Sequence, residues 1–127
     1  MFRILTTLVL ILLANSTSAT SLFESEQSYA EEYRNLRILL EKVQDADSAL
    51  LYKTAIENEI QILNQNQVAG GKQFHLLSKD EKKLFIKRFQ QNRFHCGEVT
   101  QVMVEKRRIL FEPSLAKILA EALANIP

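Results

Sequence analysis

Apolar residues recur along this chain in steps of three and four. From Leu22 the series runs Leu22, Glu26, Tyr29, Tyr33, Leu36, Leu40, Val43, a seven-residue repeat with one polar slot that predicts an amphipathic helix from Leu22 to Val43. Gln44-Asp45-Ala46-Asp47-Ser48 interrupts it with short polar side chains suited to capping a new helix start. The second helix places Ala46, Ala49, Tyr52, Ile56, Ile60 and Leu63 on one side and Lys53, Glu57 and Gln61 on the other. It is expected to stop near Val68, because Gly70-Gly71 tolerate the positive φ of a helix C-terminus. Residues Gly70 to Leu77 then form the one substantial loop.

Ser78-Lys79-Asp80-Glu81 has the form of a capping box, in which serine and glutamate each satisfy a main-chain N–H of the first turn. The seam that follows is Phe85, Phe89, Asn92, Cys96, Val99, Met103, Lys106, Leu110. Gly97 costs about 1 kcal/mol inside a helix relative to alanine, but the phase does not reset across it. One continuous helix from Lys79 to about Leu110, roughly 48 Å long, is therefore expected, with Gly97 admitting a close neighbouring backbone. Pro113 ends it and opens a short C-terminal helix whose apolar side is Leu115, Ile118, Leu119, Ala122, Leu123 and Ile126. No segment alternates as a strand and no Asn-Gly or Asp-Gly hairpin turn occurs. The predicted class is all-α: an antiparallel three-helix bundle or helical hairpin with coiled-coil-like seams, a long third helix and a short fourth.

The first nineteen residues differ from the rest. One cation, Arg3, precedes an apolar stretch from Ile4 to Ala14 and the small polar run Asn15-Ser16-Thr17-Ser18-Ala19, the order of a secretory signal with cleavage after Ala19. As a helix, Ile4 to Ala14 spans only about 16 Å of a hydrocarbon core of about 30 Å, too little for a membrane anchor. No cysteine follows to carry a lipid. The organisation expected is residues 1–19 as a cleaved signal and 20–127 as a single helical domain, exported to the periplasm or the medium.

Of 127 residues, 46% are hydrophobic and 24% charged, with three Gly and two Pro. These are values of a folded domain and exclude a disordered or low-complexity chain. The 16 Lys plus Arg face 15 Asp plus Glu, and loss of Arg3 with the signal leaves formal neutrality, which disfavours generic nucleic-acid binding. Cys96 is the one cysteine, so no intrachain disulfide can form. Its seam position predicts a small core side chain; an intermolecular bridge and a reactive thiol are the alternatives.

Charge is distributed unevenly. Residues 20–60 hold nine acids and four bases, residues 79–108 nine bases and four acids. The first two helices are expected to lay acidic edges beside the third. Lys79, Lys82, Lys83 and Lys87 crowd the beginning of that third helix, where the macrodipole disfavours cations, with Arg88 and Arg93 farther along. An outward cluster of this kind suits an acidic protein or an anionic component of the cell envelope.

Chemistry-bearing patterns are sparse. A four-helix di-iron site needs Glu-x-x-His pairs, but Lys72 precedes His75 by three and Asn92 precedes His95 by three. Haem attachment needs two cysteines. His95 and Cys96 are adjacent, about 100° apart on a helix, a poor geometry for a shared metal or a catalytic pair. Gly70-Gly71-Lys72 lacks the spacing of a phosphate loop. Glu57 and Glu59, two apart, point to different sides of the second helix and are expected on a solvated face. No cofactor is expected.

Leu40-Glu-Lys-Val-Gln-Asp-Ala-Asp-Ser-Ala49, and Ile109-Leu-Phe-Glu-Pro-Ser-Leu-Ala-Lys-Ile118 after a long basic helix, are similar to a layout of small exported bacterial helical proteins with no assigned activity. The similarity runs from about Leu36 to Leu119 and rests on helix-capping devices. It implies fold and compartment, and carries over no catalytic or binding residue. The function expected is an exported, non-enzymatic interaction or structural protein; the alternative is a small helical enzyme or metal or cofactor protein using His75, His95 or Cys96.

Overall fold

A computed structural model describes the backbone of residues 18–127 and the side chains from Tyr29 onward, apart from those of Arg93, Phe94 and His95. The expected export signal lies outside the described residues except for Ser18 and Ala19, as do the side chains of Leu22 and Glu26. The described residues form five helices and no strand: α1 (Ser18–Glu41), α2 (Ala46–His75), α3 (Lys79–Gln91), α4 (Arg93–Phe111) and α5 (Pro113–Leu123).

The break between α1 and α2 follows from the short polar run. Asp45 accepts a hydrogen bond from the Ser48 amide while the Ser48 hydroxyl accepts from the Asp45 amide, so two otherwise unpaired donors of the first turn are satisfied reciprocally. These hydrogen bonds hold the Asp45 carboxyl below the usual carboxylate range.

The second helix does not stop near Val68. Gly70 and Gly71 lie inside α2, neither has positive φ, and the helix ends at His75, capped at Leu76. Glycine permits a left-handed terminus without requiring one, and each costs the helix only about 1 kcal/mol. The connection to α3 is thereby reduced to residues 76–78, within which Leu77 is buried.

The expected long third helix is two helices. Asn92 leaves the helical region at ψ 89°, its amide donating back to the Phe89 carbonyl and its own carbonyl accepting from the Cys96 amide to open α4. The break resets the phase that was expected to run through. Among the described side chains of α4, Val102 and Ile109 are buried, with Val99 against them, whereas Cys96, Met103 and Leu110 face solvent. Gly97 has open space where a Cβ would stand, so no neighbouring backbone approaches it.

The core is enclosed by four helices in a ring: α1 packs on α2 and on α4, and α5 closes the circuit against both α2 and α4. Leu36, Leu40 and Val43 of α1 meet Ile56, Ile60 and Leu63 of α2, Val102 and Ile109 of α4, and Leu115, Leu119 and Leu123 of α5 in one apolar cluster. Arg37 of α1 donates to the Glu98 carboxylate of α4, and Arg108 Nη2 donates at 2.9 Å to the Leu40 carbonyl near the end of α1. The Leu40 carbonyl, in the last turn of α1, also accepts from the Val43 amide. Helix α3 lies at the margin of this ring. It contains no buried residue, touches α1, and meets α2 through the Phe74 and Phe85 rings and the Lys82 ammonium over Phe74.

Candidate functional site

Helix α3 opens on the expected capping box. The Ser78 hydroxyl accepts from the Glu81 amide and the Glu81 carboxylate from the Ser78 amide, and these bonds lower the Glu81 pKa from its ordinary value. Phe85 and Phe89 form the inner face of α3, with ring centroids 6.0 Å apart, and Phe85 lies 5.6 Å from Phe74 of α2. Lys82 sits at the edge of this aromatic group, its ammonium 5.7 Å from the Phe74 centroid, within range of a cation–π interaction.

Lys79, Lys83 and Lys87 are exposed and recur every four residues, so they form one row along the outer side of α3. None of them, nor Lys82, is in ion-pair contact with a carboxylate among the described residues. Arg88 is exposed and engaged in contacts of its own; the Arg93 side chain lies outside the described residues. Because α3 ends at Gln91, Lys87 and Arg88 belong to its later turns, and only Lys79 and Lys82 face the unfavourable end of the dipole.

Acidic edges of the first two helices are expected beside the basic stretch that the structure divides into α3 and α4, and the side chains of Glu24 and Glu26 in that acidic set lie outside the described residues. Among the described residues an ion pair between helices joins Arg37 of α1 to Glu98 of α4, the reverse of the expected polarity; Arg37–Glu41 and Arg108–Glu105 are within helices. Hydrogen bonds donated to Glu98 first, then to Glu41, raise the Arg37 pKa further above its already high value.

The other candidate side chains are not brought into a site. His75 is exposed at the end of α2 beside Phe74, Cys96 is exposed in the first turn of α4, and the His95 side chain lies outside the described residues. Among the described residues no three His, Cys, Asp or Glu side chains gather in metal-binding proximity, and no helix is long and apolar enough to cross a membrane.

A carboxyl pair escaped the sequence reading. Glu57 is exposed as expected, but Glu59 is half-buried at the α1–α2 contact, where it meets Glu32. Its Oε2 is buried and has no hydrogen-bond partner. Burial first, then the hydrogen bond and charge of Glu32, push the Glu59 carboxyl up to about 7. Glu59 borders an open cleft of about 410 Å³, lined also by Asn35, Ile38 and Leu39 of α1 and Ala55 and Asn58 of α2. The available signal was the position of Glu59 directly before Ile60 and three after Ile56, at the flank of the buried stripe.

No protein-family model, curated protein or solved structure matches the chain.

Proposed function

We propose that this chain is an exported, non-enzymatic helical protein of the bacterial cell envelope that docks an anionic partner on α3. The observation that carries the reading is the outward row Lys79, Lys83, Lys87 on a helix that contributes no buried residue to the fold. A helix that contributes no buried residue, and whose lysine row meets no carboxylate among the described residues, attracts negative charge over roughly a Debye length, about 8 Å at physiological ionic strength. The four-helix ring supplies the rigid support, and the Phe74–Phe85–Phe89 contacts fix α3 to it.

The test is capture from envelope extract by immobilised wild type and by a variant with Lys79, Lys83 and Lys87 changed to Gln, at low and at high salt, with bound species identified by mass spectrometry. Lys82 is left intact because of its contact with Phe74. The expected result is a set of anionic species held by wild type at low salt, released at high salt, and absent from the variant. Equal capture by both proteins, or no specific capture by wild type, overturns the reading.

A further inference from the structure

The Glu32–Glu59 pair lies where α1 meets α2, and among the described residues no ion pair engages either carboxyl group. An ionised carboxylate only accepts hydrogen bonds, so two carboxyl groups can bond to one another only while one holds a proton. Glu59 Oε2 is closed off from solvent and meets no donor among the described residues, a costly condition for a charged oxygen and a tolerable one for a neutral carboxyl group.

The charged groups around the pair leave this conclusion intact. On α1, Glu31 and Arg34 are exposed, and Arg37 is engaged with Glu41 and with Glu98 on the α4 side. On α2, Lys53 is turned about 120° and Glu57 about 160° around the helix from Glu59. Helix α5 packs on α2 through the apolar core, and Asn64, about 140° around the helix from Glu59, donates through Nδ2 to the carbonyl of Asn125 just beyond α5; the charged residues of α5, Lys117 and Glu121, are exposed. Helix α3 reaches α2 at Phe74, about four turns farther along, and also touches α1; its Lys82 stands over Phe74, and its Lys79, Lys83, Lys87 and Arg88 are exposed. Helix α4 packs on α1 and α5. The uncharged polar side chains bordering the cleft are Asn35 and Asn58.

We propose that Glu32 and Glu59 share a proton across the α1–α2 contact and that loss of this proton loosens the two helices along the cleft, which makes the pair a pH-sensitive latch. With the proton in place the pair is bonded and carries at most one charge. Without it, two carboxylates oppose each other and one keeps a buried oxygen with no partner. The folded state holds a proton that the unfolded chain, with an ordinary carboxyl, gives up at lower pH. Stability contributed by the pair is therefore complete below the unfolded carboxyl value of about 4.3 and falls as pH rises through neutrality.

The experiment is a carbon-detected NMR titration of the glutamate carboxyl groups in the wild-type protein, with thermal midpoints from about pH 5 to about pH 8 for wild type, Glu59→Gln and Glu32→Gln. The expected result is one glutamate resonance that titrates at least a full pH unit above the others and disappears in Glu59→Gln. The wild-type midpoint should fall across this range by several degrees more than that of either variant, since a glutamine amide donates to the remaining carboxylate at every pH. Amides of α1 from Asn35 to Leu39 should exchange faster at the higher pH once intrinsic rates are removed. The proposal is overturned if every glutamate titrates in the ordinary carboxylate range, or if the wild-type and variant midpoints share one slope. If a variant does not fold, the wild-type titration decides by itself.

Discussion

The hydroxyl of Tyr33 in α1 donates a hydrogen bond to the main-chain carbonyl oxygen of Pro127, the last residue of the chain, at 3.1 Å. The bond spans 94 positions in sequence, and it holds the stretch after α5 against the helix that starts the ring. Ile126, buried at the same end, adds apolar contact. Changing Tyr33 to Phe keeps the ring and its edge-to-face contact with Tyr29 but leaves the Pro127 carbonyl without this donor. The expected loss is about 1 kcal/mol, measured by urea denaturation; an unchanged midpoint means that water replaces the hydroxyl at no cost.

Gly70 and Gly71 give a prediction of opposite sign. Both are inside α2 with ordinary helical φ, and nothing stands within 4 Å of where a Cβ would be. Changing each to Ala removes the entropic cost of glycine without creating a clash, so each substitution should stabilise the fold by about 0.5–1 kcal/mol. A loss of stability in thermal unfolding would mean that the helix is not continuous there.

Cys96 should react rapidly with a thiol reagent in the native protein, since it is exposed. Replacement by Ser should change stability by less than about 0.5 kcal/mol, as for other surface positions. Both outcomes reverse the expectation for a core cysteine, for which labelling would wait for unfolding. Protection of the native thiol would return Cys96 to the interior.

Arg37 and Glu98 link α1 to α4 with side chains 22% and 14% exposed. Removing Arg37 as Ala leaves a largely covered carboxylate short of its partner, and the expected cost is about 1 kcal/mol after allowance for solvent screening. A double-mutant cycle with Glu98→Gln should show coupling that weakens in high salt. Additive effects would assign the cost to lost packing of the arginine stem.

The helical class, the breaks at Asp45 and Ser78, and the start of α5 at Pro113 were legible because each is written locally, in a cap or in a missing N–H. The α1 and α5 core positions were legible because their stripes are unambiguous. The stop near Val68 was misread because glycine only permits a turn; no residue nearby demands one. In α4 two apolar series coexist seven residues apart, Cys96-Met103-Leu110 and Val102-Ile109. Periodicity alone cannot say which one faces inward, and an unrecognised break at Asn92 shifted the choice to the exposed series. The lysine row was visible as charge, whereas its having no carboxylate partner among the described residues depends on tertiary placement. The Glu32–Glu59 pair was hidden because its members are 27 positions apart in the chain.

The place of α3 at the margin of the ring also bears on how the molecule opens. A segment bounded by the turn at residues 76–78 and by Asn92, and holding no buried residue, loses little apolar contact when it unravels. It should therefore act as an independent unit of local unfolding, exchanging its amide protons through openings that leave Leu36, Ile56, Ile109 and Leu119 packed. The energetic cost of reshaping this helix around a bound surface is then separate from the stability of the domain, so the chain can adapt there without melting elsewhere.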